Sequence, residues 1–306
     1  MRLAVVTNVI TPYRVSLYRE LAELAGDVTV FVTGREDNRE WHVGGELPFA
    51  VKRVWGLVLK RDVRKFGRSG FDTKYVHLPF GVTSALSRFD PEAVLTNEMG
   101  LRTLLVWMYC VMHRKPVVVH WGGTPHTEQA VGGFKRFVRR RFFGRVVPEW
   151  VSYGTTSTAY LESLGITGER IVEAFNCVDH EFFAGPARPS LTLAPRPVLL
   201  SVGQWIPRKG LEQFLRAASV LRRQGWRFTV LLVGSGPQEG RLKRSAEQLG
   251  LEEVVVFHPF VQPERLPGIY ASADIFVFPT LEDVWGLVVN EALAAGLPVL
   301  CSVYAG

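Results

Sequence analysis

Two carboxylates and a neighbouring pair of cations mark where this chain can do chemistry. In the stretch TLEDVWGLVVNEALAAG, residues 280–296, Asp283 and Glu291 stand on either side of Gly286 with seven residues between them. The apolar run Ile275–Phe278 before it reads as a buried strand ending at Pro279. The pattern then switches to a helical period, with Leu287, Val288, Leu293, Ala294 and Leu297 on one side and Gly296-Leu297-Pro298 as the stop. A helix start offers unpaired N–H groups and the positive end of a dipole, so an anion is expected near Gly286, where a ligand can approach the backbone. Two acids beside an anion need a ligand that also carries hydroxyls. A sugar nucleotide satisfies both demands: its hydroxyls donate to the carboxylates, and its diphosphate takes the helix start. The plainer reading is a surface loop before a core helix, its acids complementing the dipole.

A second turn carries the cations. SVGQWIPRKG, residues 201–210, joins a strand to a helix and sets Arg208 beside Lys209. Fixed cations there would grip a diphosphate and stabilise the charge that grows as it leaves. The plainer reading is a solvated pair in a turn. VGSGP, residues 233–237, is another strand-to-helix turn around Gly234, and by itself it reads as a plain tight turn. In the first half, TNVITPYR, residues 7–14, follows the first strand and presents Tyr13 and Arg14 to an acceptor or a phosphate, or else is only a helix N-terminus with Pro12 in its first turn. Glu98 and His120 sit just past or at strand ends, and a neutral His120 can bond a sugar hydroxyl. His126 is close by and leaves that assignment open. No Ser-His-Asp set, metal spacing or dinucleotide fingerprint can be assembled.

Asp283-Val284-Trp285-Gly286 with Glu291 resembles the acid–seven residues–acid motif of retaining glycosyltransferases of the GT-B fold, family 4 in particular. The usual first acid there is Glu; here it is Asp283 with Glu282 beside it, and both stay candidates. Lys209-Gly210 is similar to the family's Lys-Gly, while Gln204 occupies its Arg position. Residues 256–261, VFHPFV, resemble the strand that packs on the base, with Pro259 in place of a Gly. Thr-Pro-Tyr-Arg at 11–14 recurs in a branch of the family that decorates polysaccharides or lipids. The resemblance implies that Asp283 contacts donor sugar hydroxyls and Glu291 the ribose, with Lys209 on the diphosphate. It implies a donor site of Arg208, Lys209, Gly234, Glu282, Asp283, Gly286 and Glu291, and an acceptor side of Tyr13, Arg14, Glu98 and His120. It further implies a nucleotide-diphosphate sugar as co-substrate, no metal or other cofactor, no protein nucleophile, and a saccharide or lipid-linked acceptor. A non-catalytic sugar- or nucleotide-binding fragment and a nucleotide-sugar epimerase on the same fold are the alternatives.

Strand-like and helix-like patterns alternate along the whole chain, which predicts an α/β protein with parallel sheets. Proline-rich AGPARPSLTLAPRP, residues 184–197, reads as a linker between a domain over 1–183 and a nucleotide-sugar-binding domain over 198–306, two Rossmann-like domains facing a cleft. Compared with the family, the second domain is expected to be incomplete at Gly306. At 306 residues, 47% hydrophobic and 21% charged, the chain is large enough for two packed cores and too apolar for disorder. Three scattered cysteines suggest a reducing compartment, and the first residues read as a strand rather than a signal peptide, so a cytoplasmic location is expected. A net charge of +7 suits an anionic ligand or membrane surface, and no nucleic-acid signature accompanies it. FKRFVRRRFFGR, residues 134–145, is expected to form one helix with Phe134, Phe137, Val138, Arg141 and Phe142 as its apolar stripe. That pattern fits a peripheral helix on anionic lipid, and Lys52, Arg53, Lys60, Arg61, Arg64, Lys65 and Arg68 add basic surface in the same half.

Overall fold

The computed structural model describes residues 1–34, 43, 46–63, 72–129 and 131–306; Gly44, Gly45, Arg64, Lys65 and Arg68, and the side chains of Lys60 and Arg61, lie outside the described residues. The chain divides into two compact units, one holding Met1–Arg61 and Thr73–Asn176, the other Cys177–Gly306.

In the first unit, strands β1 (Arg2–Thr7), β2 (Asp27–Val32), β3 (Ala50–Arg53), β6 (Ala93–Asn97), β7 (Val117–Trp121), β8 (Glu149–Ser152) and β9 (Ile171–Glu173) form one sheet. Its order is β3-β2-β1-β6-β7-β8-β9, and every pair is parallel. Two further strands, β4 (Leu57–Val63) and β5 (Asp72–Leu78), pair only with each other. Side chains of β1 alternate: Leu3 and Val5 enter the cluster around Tyr18 and Val30, while Ala4 and Val6 enter the one around Leu86 and Val106 on the other face. Helix α1 (Pro12–Ala25) covers the first of these with Val15, Leu17 and Leu21. Leu24, in the last turn of α1, is exposed. Helices α2 (Val82–Phe89) and α3 (Leu101–His113) cover the other face.

The basic segment does not form a single helix. It runs as α4 (Gly133–Val138), a π turn over Arg139–Phe143, and a short α5 (Gly144–Val146). The wider turn re-aims the side chains. Arg139, expected at the surface, is buried: its guanidinium bonds Glu128 at 2.6 Å and the Tyr160 hydroxyl at 2.5 Å, and lies 4.9 Å from the Trp121 ring. Phe142 packs on Trp107, and Phe143 is buried. Phe134 and Phe137 remain exposed, as do Lys135, Arg136, Arg140, Arg141 and Arg145. Helix α6 (Thr155–Ser163) closes this end of the unit. Among the described residues no helix is long and apolar enough to cross a membrane.

The second unit begins before the proline-rich run. Helix α7 (His180–Ala184) belongs to it, since Phe183 is buried against Tyr270 and joins the core cluster of Val198, Leu200 and Phe276. The run itself is tied down by bonds from Ser190 N–H to the Gly268 carbonyl and from Leu191 N–H to Ser272 Oγ. The boundary expected at 184–197 therefore falls at Asn176/Cys177, because burial of one Phe outweighs the composition signal. Strands β10 (Val198–Val202), β11 (Thr229–Val233), β12 (Val255–His258), β13 (Ile275–Phe278) and β14 (Val299–Cys301) form a separate parallel sheet in the order β12-β11-β10-β13-β14. Helices α8 (Leu211–Arg223), α9 (Glu239–Gln248), α10 (Leu266–Tyr270) and α11 (Leu287–Ala294) connect them. Val230 and Leu232 face one cluster, Leu231 and Val233 the other, so both faces of β11 are covered.

In each sheet the chain winds outward in one direction, returns to the middle, and winds the other way. The reversal lies between β1 and β6 in the first unit and between β10 and β13 in the second. A crevice beyond the strands' carboxyl ends opens at such a point.

Candidate functional site

The expected donor residues gather at the second unit's reversal. The turn after β10 and the loop after β13 are knitted together: Leu281 N–H and Thr280 Oγ1 both bond the Arg208 carbonyl, at 2.7 and 3.0 Å. Gly210, at φ +66°, closes the first turn, and a Cβ there would collide with the Pro279 carbonyl. That close approach sets Lys209 directly on Asp283, whose carboxylate it pairs with. Arg208 reaches the same oxygen at 3.7 Å and bonds the Glu282 carbonyl at 3.3 Å. Lys209 Nζ also lies 4.9 Å from the Phe278 ring centre. Burial pushes the Asp283 carboxyl up, but Lys209, Arg208 and the Val284 N–H outweigh it and hold it below the usual carboxylate range.

Phe278 also separates Lys209 from the start of α11. Gly286, at φ +71°, caps that helix, and a Cβ on it would come within 2.7 Å of the Phe278 ring. Glu291 points inward, where the Tyr270 hydroxyl donates to its carboxylate at 2.6 Å. Burial raises the Glu291 carboxyl to about 7, and the Tyr270 bond only partly offsets it. Glu282 is buried beside Asp283; its carbonyl accepts from both Arg208 and Thr280 Oγ1. Asp283 is set against both cations. Gly234 is placed by sheet continuity, its N–H on the His258 carbonyl at 3.0 Å, and it packs on the Gly203 turn. That contact accounts for the glycine without a ligand. Leu293, expected on the inner side of α11, is 57% exposed.

The first unit's reversal holds a pocket of about 130 Å³ between the ends of β1 and β6 and the start of α1. Arg14 and Tyr13 line it, as do His120 at the end of β7 and Tyr153 just past β8. Arg14 Nη2 donates to the Tyr153 hydroxyl at 2.6 Å, and its guanidinium lies 5.7 and 5.3 Å from the Tyr13 and Tyr153 rings. His120 packs on Tyr153 at 4.5 Å, and its Nε2 is buried with no partner among the described residues. Burial, helped by the Arg14 charge, pushes its pKa down to about 3, so the ring is neutral. Glu98 stays out of the pocket. It is held at φ 72°, and its carboxylate pairs with buried Arg102 at 3.1 Å. It serves as that cation's counter-charge. Among the described residues no three His, Cys, Asp or Glu side chains are grouped to hold a metal.

Tyr270 and Tyr153, neither singled out from the sequence, position Glu291 and Arg14. For Tyr153 a signal existed, a polar residue just past a strand, as at His120. For Tyr270 there was none, since a Tyr in a short apolar helix reads as core.

Comparison with known proteins finds likeness over the part of the chain that carries these turns. Residues 187–306 match the model of the family Glycosyl transferases group 1. The match takes in every donor-side residue named above and none of the first unit's pocket. The chain is similar to D-inositol 3-phosphate glycosyltransferase of Nocardia farcinica, 38% identical over 128 residues, 39% of this chain and 28% of that protein. It is also similar to the GDP-mannose-dependent alpha-(1-6)-phosphatidylinositol monomannoside mannosyltransferase of Mycolicibacterium smegmatis, 39% identical over 115 residues, 35% of this chain and 30% of that one. The chain thus aligns with less than a third of the length of these curated relatives. In structure, Anabaena Alr3699/HepE in complex with UDP matches with a TM-score of 0.72 at 15% identity, over 100% of this chain and 82% of that one. WaaG, a glycosyltransferase involved in lipopolysaccharide biosynthesis, matches with a TM-score of 0.65 at 17% identity, over 99% and 82%. The fold is therefore that of the GT-B glycosyltransferases, two Rossmann-like α/β units.

Proposed function

We propose that the chain is a glycosyltransferase that moves a sugar from a nucleotide-diphosphate donor to a saccharide or lipid-linked acceptor with retention of configuration. One observation carries the reading: Arg208 and Lys209 converge on Asp283 at the strand reversal of the segment that matches the family. A diphosphate arriving there replaces Asp283 as the partner of Lys209. The freed carboxylate, held ionised, then accepts from sugar hydroxyls. Phosphate charge grows as the glycosidic bond breaks, and Lys209 with the N–H groups opening α11 stabilises it where a metal otherwise would. Glu291 accepts from the ribose. Tyr13, Arg14 and His120 face the acceptor. No protein nucleophile is needed, because the acceptor attacks on the face the diphosphate leaves. Calorimetric titration of the full chain with uridine, guanosine and adenosine diphosphates tests the donor half: one should bind, and binding by none leaves the non-catalytic fragment as the reading. The anomeric configuration of the product, read by NMR, tests retention.

The exposed cations around Phe134 and Phe137 favour a cytoplasmic enzyme resting on anionic lipid. Arg139 takes no part, being buried against Glu128. Binding to vesicles containing phosphatidylglycerol is expected to weaken with salt and to fall when Arg140, Arg141 and Arg145 are changed to Gln. Equal binding to neutral vesicles, or an unaffected triple variant, removes the membrane from the proposal.

A further inference from the structure

The first unit's pocket contains a cation without a counter-charge. Among the described residues no carboxylate lies within ion-pair distance of Arg14; its hydrogen bond goes to the neutral Tyr153 hydroxyl. Glu98, the acid of the neighbouring loop, pairs with Arg102 instead. Two more polar atoms lining the same space, His120 Nε2 and Thr11 Oγ1, are buried with no partner among the described residues. Buried polar atoms are rarely left unpaired, and two of them beside an uncompensated cation in one pocket point to a ligand rather than to chance. The volume of about 130 Å³ is well beyond what a single water needs.

The chemistry of these groups selects the ligand. A guanidinium fixed between two aromatic rings presents a rigid fork of donors, which matches the paired oxygens of a carboxylate or phosphate. The opening turn of α1, a helix of 14 residues, adds the positive end of its dipole at the same place. Thr11 donates through its hydroxyl, and His120 donates when its proton sits on Nε2. A neutral sugar would satisfy the hydroxyl and the imidazole but leave the guanidinium unneutralised.

We propose that this pocket seats an oxyanion carried by the acceptor, a carboxylate or a phosphate monoester, with Arg14 as its counter-ion. The assignment to the acceptor rests on the glycosyltransferase reading above; the anion site itself does not. The acceptor is then acidic, and a neutral saccharide is a poor substrate. Tyr153 is a positioning residue that holds the fork in register.

The test follows the His120 ring by NMR in the full chain, its signal assigned by loss in His120→Asn. Inorganic phosphate, glucuronate and glucose are titrated separately. At least one of the two anions is expected to shift the signal, with an affinity about tenfold or more above that of glucose. Phosphate alone identifies a phosphate monoester, glucuronate alone a carboxylate. Arg14→Gln should weaken the anion about tenfold and leave glucose unchanged. Should that variant fail to fold, Tyr153→Phe is expected to weaken the anion severalfold and Arg14→Lys to retain part of the affinity. Glucose binding as tightly as both anions, or an Arg14→Gln protein that binds the anion as wild type does, overturns the site. Displacement of the anion by a nucleoside diphosphate assigns the oxyanion to the donor and overturns the acceptor part. Failure of every nucleoside diphosphate to bind, with the anion still bound, sinks the donor reading and leaves this site standing.

Discussion

Lys209→Ala is expected to lower turnover by about 10²-fold or more while changing the affinity for the nucleoside diphosphate far less. The asymmetry follows from when the charge appears. On the proposed reading, the ground-state diphosphate is neutralised in part by Arg208 and by the start of α11. As the sugar departs, more negative charge collects on the leaving oxygens, and the ammonium nearest them gains the most. Asp283 complicates the experiment. With Lys209 gone, its largely covered carboxylate keeps, among the described residues, Arg208 at 3.7 Å and the Val284 N–H at 2.8 Å, so part of the loss reflects a less fully compensated acid. Asp283→Asn separates the two effects. If Lys209 acts on the diphosphate, Lys209→Ala still lowers turnover by a large factor in the Asp283→Asn background. If its role is only to neutralise Asp283, the second substitution masks the first. A Lys209→Ala enzyme with raised KM and unchanged kcat would place Lys209 in ground-state binding and refute the assignment.

The periodic parts of the fold were legible, and the reasons are physical. Fully covered parallel strands such as β10 and β11 must be apolar on both faces, and helices such as α8 must switch to a period near 3.6, so their alternation announces the topology. The strand-to-helix turns were equally visible, because cations, acids and glycines occur where buried runs end. Side-chain direction was not. Asp283 and Lys209 were both named, but their direct pairing depends on the meeting of Gly210 with the Pro279 carbonyl, 69 residues away in sequence. The Arg14–Tyr153 bond spans 139 residues and leaves no local trace. The basic segment shows the opposite failure: its composition suggested a continuous surface helix, while the chain makes a π turn at Arg139, whose guanidinium is buried in an ion pair with Glu128. Glu98 was read as a ligand contact because loop acids at strand ends often are; Arg102, buried one turn later, claims it.

Glu291 offers a prediction in which pH is the variable. Its carboxyl is raised from 4.5 to about 7 by burial, so between these values the folded chain holds a proton that the unfolded chain has released. Stability from this group is therefore full below about pH 4.5 and is lost as pH rises through 7, by about 3 kcal/mol in total. Glu291→Gln keeps the shape without the charge, and at pH 8 it is expected to be more stable than wild type. Nucleotide binding should run the other way. Ribose hydroxyls donate best to the ionised carboxylate, so affinity in the wild type should strengthen as pH passes through 7. The diphosphate itself titrates near pH 6, which the Gln variant controls for, since only the carboxylate is removed. Glu291→Ala should lose about 1.5–3 kcal/mol of binding, roughly a tenfold to hundredfold rise in Kd. Turnover at saturating donor should change little, because the ribose contact is the same before and during reaction. Calorimetry at pH 6, 7 and 8 on the wild type and both variants reads each of these quantities. Wild-type and Gln proteins with parallel pH profiles would mean that Glu291 does not meet the nucleotide, and that Tyr270 holds it only as part of the core.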